Sequence, residues 1–277
     1  MRRLLAVLAA VLAFVGCSGD DEPTALEVIS SARDTTLATN SARIAVVVES
    51  GGTALTGGQP FELTGEGAFD FERKLGSFTT DLGSLGLPGA SGQVEIIITE
   101  DVVFVQVPSA FAALAGGKPW LKVDLSTSGD NDLARQFEQL RGADPTAALN
   151  YLNGVAADGI TEVGEAEVRG EATTHYRLTV DLERAKADAP EELGDDYDRL
   201  IEQIGGTTIP AEVWVDGDDR VRRMKFTIDP APQGNTDQPP ITVTNELYDF
   251  GAEVEVTPPP DDQVTDLGQL LAGLGGG

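Results

Sequence analysis

The chain has 277 residues, 41% of them hydrophobic, with 46 acidic residues against 19 basic ones and a net charge of −27. The apolar fraction is enough for a folded core and excludes a disordered stalk. The acidic excess excludes nucleic acid as a partner, because binding to phosphates requires a basic patch. One cysteine and one histidine cannot supply the nitrogen and sulfur ligands that usually hold a metal. We therefore expect neither a metal site nor another cofactor.

The N-terminus is typical of a secretory signal. Two arginines and the apolar run 4–15 precede Gly16 and Cys17. This run is shorter than the ~20 residues that a bilayer-spanning helix needs. The segment Phe14-Val15-Gly16-Cys17 resembles the lipobox of bacterial lipoproteins, although Phe14 stands where Leu is usual. The resemblance implies that the Cys17 thiol receives a diacylglyceryl group; the alternative is an ordinary secretory signal with a chance cysteine.

These features divide the chain into three parts. We expect a signal peptide over residues 1–16, a lipidated tether over 17–25 and one domain over 26–277. Loss of two arginines with the signal leaves 17 basic against 46 acidic residues, a net charge of −29. Lipidation would use the only thiol, so the domain must be stable without disulfides.

The first half of the domain predicts one helix and then a series of strands. Thr24 and Glu27 form a capping-box pattern, which predicts a helix over 24–38. Apolar residues then alternate with polar ones, as expected for antiparallel strands with one apolar face. The alternating positions are Ile44, Val46 and Val48; Phe61, Leu63, Phe69 and Phe71; Val94, Ile96 and Ile98; and Val103, Val105 and Val107. Phe78 and the run 120–123 fit two further strands.

The second half mixes both kinds of element. Helical spacing of Leu133, Phe137 and Leu140 predicts one helix, and Asp144-Pro145 predicts the start of another over 145–152. Further predicted elements are strands over 160–168 and 173–180, a helix over 190–204, strands over 209–215, 221–228 and 241–248, and a short helix over 264–274.

Together the elements predict an α+β fold. About ten to eleven strands form a curled antiparallel sheet, an open half-barrel, because a twisted meander of this size curls instead of staying flat. The helices cover its concave face. Strand alternation assigns seven aliphatic side chains to the inside, where they would line an apolar cavity: Ile44, Val46, Val94, Ile96, Val103, Val105 and Val213.

Catalytic residues are not expected. His175 lies on the strand face opposite Tyr176 and Leu178, so it is directed to the surface or capped by a neighbour. The chain has no Gly-x-Ser-x-Gly motif of a serine hydrolase. Trp214 points away from Val213, which favours a structural role. Arg222 and Arg223 form a basic spot, interpreted as part of a solvated strand or as a headgroup contact.

Four stretches carry a further resemblance: 144–155, Glu167-Val168-Arg169-Gly170 with Thr174-His175-Tyr176, Val213-Trp214-Val215-Asp216 through Arg222-Arg223-Met224, and Asp249-Phe250-Gly251 with 258–266. These stretches resemble the LppX/LprG-type lipoproteins of actinobacteria, whose fold is similar to the LolA/LolB half-barrel. The resemblance implies an open barrel whose apolar cavity takes acyl chains of lipids or glycolipids.

The resulting hypothesis is a non-enzymatic lipoprotein on the extracytoplasmic side of the cell membrane. It is held there by a lipid anchor at Cys17 and binds or carries a lipid or glycolipid. The alternative is a protein-interaction or sensor module whose barrel is filled by its own side chains, since aliphatic stripes form cores more often than binding sites.

Overall fold

The computed structural model describes residues 23–52, 56–86, 89, 92–124, 145–189, 194–229 and 239–270. Twelve strands lie in these ranges: β1 (Ser41–Ser50), β2 (Phe61–Asp70), β3 (Leu75–Asp81), β4 (Gln93–Ile98), β5 (Val102–Gln106), β6 (Trp120–Asp124), β7 (Val155–Val168), β8 (Glu171–Asp181), β9 (Thr208–Asp216), β10 (Val221–Ile228), β11 (Ile241–Tyr248) and β12 (Val264–Asp266).

All twelve strands belong to one sheet, in the order β12-β6-β5-β4-β3-β2-β1-β11-β10-β9-β8-β7. Successive strands pair antiparallel within β1–β6 and within β7–β11. The two groups join into one sheet because β11 pairs antiparallel with β1. Strands β7 and β12 form the two edges, so the described sheet is an open, curled half-barrel. The predicted α+β class and antiparallel sheet are confirmed.

The twelfth strand corrects the start of the helix predicted over 264–274: residues 264–266 form a strand, and helical residues follow at 267–270. Val264–Asp266 instead pairs in parallel with β6. Lys118 Nζ donates to the Val264 carbonyl at 2.7 Å, and Thr265 Oγ1 donates to the Ala115 carbonyl at 2.5 Å. The edge of β6 offers backbone groups that need partners, and the returning chain satisfies them.

Helix α1 (Ala25–Leu37) begins where its capping box predicts. Thr24 Oγ1 accepts from the Glu27 backbone N–H at 3.3 Å, while a Glu27 carboxylate oxygen accepts from the Thr24 N–H at 2.8 Å. These reciprocal bonds satisfy two backbone donors that a helix start otherwise leaves open.

Further helices in the described ranges include α2 (Pro145–Tyr151), α3 (Leu182–Ala187) and α4 (Gly194–Ile204), and residues 267–270 are also helical. Helix α3 is absent from the sequence predictions. Asp181 ends β8 and caps this helix, accepting from the N–H groups of Glu183 and Arg184. A helix of six residues is too short for its apolar residues to repeat at helical spacing, so the sequence pattern does not reveal it.

Some predicted features lie outside the described residues. They are the signal peptide, Cys17, the Asp144 cap, the helix marked by Leu133, Phe137 and Leu140, and the last residues of the predicted C-terminal helix.

The helices pack on one face of the sheet, which is here called the inner face. Buried residues of α1, α2, α3 and α4 belong to the same apolar cluster as buried residues of the sheet. Tyr151 at the end of α2 packs edge-on against Tyr197 of α4 and Phe226 of β10, with ring centroids 5.5 and 5.7 Å apart. The helices therefore fill the inner face on the side of β8–β10.

Candidate functional site

The strand register places all seven predicted lining residues on the inner face. Ile44 lies opposite Leu247 in β11, and Ile96 lies opposite Val105 in β5. Val213 lies between Tyr176 of β8 and Met224 of β10. Alternation in the sequence therefore assigned the face correctly. Whether these residues line a ligand site stays a prediction.

Burial separates the seven into two groups. Ile44, Val103 and Val213 are at most 1% exposed and belong to the packed core, and Val94 is also buried. Val46, Ile96 and Val105 are only partly buried, although they pack against the same core. The first group supports the fold, whereas the second remains accessible from the inner side.

The accessible residues continue into a larger patch. We call it the half-buried patch; it consists of six inward aliphatic side chains from β1, β2, β4 and β5 and the residue following β5, namely Val46, Val48, Leu63, Ile96, Val105 and Val107. It faces the same side as the helices but lies over the half of the sheet remote from β8–β10.

Two glycines of β2 lie on the inner face beside the patch. Gly65 lies opposite Val46, and Gly67 lies opposite Ile44 and Phe78. A Cβ added to Gly67 would stand 2.1 Å from the Ser77 carbonyl oxygen. Backbone and aromatic ring therefore approach closely where β2 crosses the inner face.

Two clefts open at the ends of strands. One of about 540 Å³ is lined by Glu49, Ser50, Gly51, Pro60, Phe61, Glu62, Pro240 and Thr242. The other, of about 380 Å³, is lined by Gln93, Val94, Gln106, Val107, Pro108, Ser109, Ala112, Gly117 and Pro119. Val94 is the one predicted lining residue that contacts either of these clefts, and Val107 connects the second cleft with the half-buried patch.

Charged and aromatic side chains form a continuous ladder on the outer face. The ring of His175 stacks on Trp214 with centroids 4.2 Å apart and planes at 3°, and His175 Nε2 lies 2.8 Å from Glu212 Oε2. The Arg223 guanidinium lies 5.2 Å from the Trp214 ring centroid and pairs with Glu246. His175 is thus capped by a neighbour, and Trp214 lies on the face opposite Val213, as the alternation in the sequence predicts.

The basic spot at Arg222 and Arg223 is not a solvated strand. Arg222 is 9% exposed and its Nε donates to Asp216 Oδ2 at 2.6 Å. Its guanidinium lies 4.9 Å from the ring centroid of Phe250. Both arginines are neutralised by carboxylates, which also removes the main argument for a headgroup contact.

Asp216, which is buried, and Glu246, which is partly buried, are the carboxylates that pair with these arginines. Burial opposes ionisation of Asp216, but hydrogen bonds from Arg222 and Arg220 outweigh it and hold its pKa below the ordinary value of 3.8. Burial likewise opposes ionisation of Glu246, and Arg223 and Arg169 together hold its pKa below 4.5. Both groups are therefore carboxylates at neutral pH.

One polar residue of the inner face was not singled out from the sequence. Asn245 lies opposite Val46 on one side and Met224 on the other. The alternation of Ile241, Val243 and Leu247 places position 245 on the apolar side, so strand parity was the signal that could have found it.

Metal-binding clusters and membrane-spanning helices are two further features to consider in the described ranges. No three His, Cys, Asp or Glu side chains come together there in a group that could hold a metal ion. None of the helices described there is both long and apolar enough to cross a bilayer.

Comparisons with known proteins place this geometry in context. No protein-family model matches the chain. The chain is 25% identical over 189 residues to an uncharacterized 31.2 kDa protein of Streptomyces griseus, a match that covers 66% of this chain and 59% of that protein. The match thus spans less than two thirds of that relative.

Solved structures match over a larger share. The crystal structure of the lipoprotein LppX of Mycobacterium tuberculosis matches at 14% identity with a TM-score of 0.50, covering 84% of this chain and 97% of LppX. The chain has the LppX fold. LprF of Mycobacterium bovis is also similar, at 16% identity and a TM-score of 0.46, covering 84% of this chain and 96% of LprF. The LppX-type half-barrel implied by the sequence resemblance is therefore confirmed as a fold.

Proposed function

We propose that this protein is a lipoprotein of the cell envelope that binds or carries a lipid or glycolipid on the inner face of its half-barrel. The observation that carries the proposal is the half-buried patch. A sheet face this apolar is normally covered, yet Val46, Ile96 and Val105 keep part of their surface accessible beside a fully packed core.

The gain from covering the patch is large enough for binding. Apolar burial is worth about 25 cal/mol per Å², and each buried CH₂ of an acyl chain contributes about 0.8 kcal/mol. An acyl chain laid along the patch would supply the missing apolar contact.

The proposed anchor is a diacylglyceryl group on Cys17, with residues 1–16 removed as the signal and 17–25 serving as the tether. Two acyl chains give stable membrane binding where one is marginal. This places the domain on the extracytoplasmic side of the cell membrane. The fold supports the anchor through its likeness to LppX, which is itself a lipoprotein.

The proposed task is non-enzymatic. The chain's one histidine is engaged by Glu212 and Trp214 on the outer face, away from the half-buried patch. A general acid or base must lie within reach of the proton that it transfers. The side chains of the half-buried patch are aliphatic and cannot transfer a proton.

A protein-interaction or sensor module with a self-filled barrel is the second candidate. It is favoured by the near-complete burial of Ile44, Val103 and Val213 in the apolar core. In that case the charged outer face would be the functional surface.

Lipid content distinguishes the two candidates. The full chain carrying Cys17→Ser, which cannot contribute anchor lipid, is purified and its organic extract is examined by mass spectrometry. The carrier predicts co-purified lipid in stoichiometric amount, and the self-filled module predicts none. Membrane fractionation of wild type against the same variant tests the anchor, since only the wild type is expected in the membrane fraction.

A further inference from the structure

The connection between β5 and β6 forms one wall of the second cleft. Residues of this connection line the cleft beside Val107, which also belongs to the half-buried patch. We call residues 109–118 the lid segment; most of it is the 3₁₀-helix Ser109–Ala115. The second cleft therefore leads from the protein surface to the half-buried patch, with the lid segment along one side.

The lid segment is loosely packed. None of its described side chains belongs to the apolar core cluster or packs against it. Its 3₁₀-helix of seven residues is longer than most, and the hydrogen bonds of such helices are poorly aligned. Gly116 and Gly117 follow it with φ of 64° and 83°, a left-handed conformation that glycine adopts freely. Few apolar contacts and a glycine pair at one end are features of a segment that opens locally.

Strand β12 holds the lid segment in place. Thr265 Oγ1 donates to the Ala115 carbonyl at 2.5 Å, and Lys118 Nζ donates to the Val264 carbonyl at 2.7 Å. The strand is itself anchored, because Leu267 directly after it is 2% exposed and belongs to the core cluster. Two hydrogen bonds therefore join a loosely packed segment to a strand that is fixed in the core.

Thr265 lies beside the half-buried patch on the same face of the sheet. It is opposite Leu121 of β6, which is opposite Val105 of β5. Val105 belongs to the patch, so the hydrogen bond from Thr265 to the lid segment closes the patch at its β12 side. Separation of the lid segment from β12 would widen the second cleft at this point.

The first cleft is a poorer path for an acyl chain. Glu49 and Glu62 line it and lie directly opposite each other in β1 and β2. Carboxylates are costly to remove from water, and a hydrocarbon chain offers them no partner. The side chains that line the second cleft are all uncharged.

We propose that the lid segment is the gate of the lipid site. It opens about Gly116 and Gly117 when its hydrogen bonds to β12 break, and an acyl chain then passes through the second cleft onto the half-buried patch. The Thr265 hydroxyl is the latch, because it joins β12 to the backbone of the lid segment. The inference rests on the proposed function and assigns the entry path of the same site.

The first test removes the latch. The full chain with Cys17→Ser is mixed with a fluorescent acyl ester, and stopped-flow fluorescence measures association and then release into excess unlabelled ester. Thr265→Val keeps the shape of the side chain but lacks the hydroxyl. Loss of one hydrogen bond corresponds to about a threefold to tenfold larger open fraction, so both rates should rise by this factor while Kd changes little. Thr265→Ser, the matched control, retains the hydroxyl and should exchange the ester like wild type.

The second test locks the lid segment. A Cβ at Gly116 would lie 3.5 Å from Thr265 Oγ1 and 3.9 Å from its Cγ2, within reach of a disulfide. Gly116→Cys and Thr265→Cys are combined in the Cys17→Ser chain, which contains no other thiol. We expect the oxidised protein to exchange the ester about tenfold more slowly than wild type. After reduction, the same protein should exchange as fast as Thr265→Val.

Circular dichroism verifies that each variant is folded. If Thr265→Val is not, Lys118→Met replaces it, because it removes the other hydrogen bond to β12. Equal rates for Thr265→Val and wild type, or equally fast exchange by the oxidised and reduced double-cysteine protein, would overturn the inference. Failure of the wild type to bind the ester would instead reject the proposed function.

Discussion

The hydroxyl of Thr36 in α1 accepts a hydrogen bond from the backbone N–H of Val221 at the start of β10, at 2.8 Å. The same hydroxyl donates to the Ala32 carbonyl at 2.6 Å, and Thr36 has no exposed surface. One side chain therefore joins the first helix to a strand 185 residues later and fixes the helix on the inner face.

Thr36→Val is expected to destabilise the protein by about 1–3 kcal/mol, because it keeps the shape of the side chain but leaves the buried N–H of Val221 without an acceptor. Thr36→Ser retains the hydroxyl and should lose clearly less. Urea unfolding followed by circular dichroism measures both. Equal losses in the two variants would show that the hydrogen bond contributes nothing.

Gly67→Ala tests the close approach of β2 and β3. The new methyl group would meet the Ser77 carbonyl oxygen at 2.1 Å and the Phe78 ring at 2.7 Å, so we expect a loss of about 1–3 kcal/mol from overpacking. Gly206→Ala is the control, since a Cβ there meets nothing within 4 Å, and its thermal midpoint should stay close to wild type. A Gly67→Ala protein as stable as the control would contradict the packing described.

Asp216→Asn tests the buried ion pairs of the outer face. The Asp216 carboxylate accepts from Arg222, from Arg220 and from the backbone N–H of Asp218. Loss of its charge removes the carboxylate that pairs with the buried Arg222, whereas Arg220 keeps its ion pair with Asp218. We expect a loss of about 2–4 kcal/mol at neutral pH.

The pH dependence of this variant follows from the lowered pKa. Because the folded-state pKa of Asp216 lies below 3.8, its contribution is present above the unfolded-state value and is lost as the pH falls through the folded-state value. Denaturant unfolding at pH 7 and at about pH 3 should therefore show a smaller decline with acid in Asp216→Asn than in wild type. The exposed Asp101→Asn serves as control and should show the wild-type decline; an unchanged decline in Asp216→Asn would refute the assignment.

The parts of the fold that were predictable are those set by local patterns. The capping box of α1 involves residues three apart, and alternation in β1 and β4 fixes which face Ile44 and Ile96 occupy. Strand β12 was not predictable, because it forms only through pairing with β6, far away in the sequence.

The sequence predicted which face of the sheet the site residues occupy, but it did not predict how deeply each of them is buried. Alternation predicts that Val46 and Val103 lie on the same side, yet only the packing of the folded chain determines that Val103 is buried and Val46 partly accessible. The partners of Arg222 and Arg223 were equally hidden, since the carboxylates that neutralise them come from β9 and β11.

The central claim is that an acyl chain occupies the half-buried patch, and two adjacent valines test it most directly. Val46 points to the inner face, whereas Val47 is the next residue and points outward. A fluorescent acyl ester is titrated into wild type, Val46→Trp and Val47→Trp, each in the full chain with Cys17→Ser and each verified as folded. The account predicts that the indole at position 46 fills the patch and weakens binding at least tenfold, the loss expected from roughly two excluded CH₂ groups, while Val47→Trp binds like wild type. Equal binding by all three proteins, or no binding by the wild type, would contradict it.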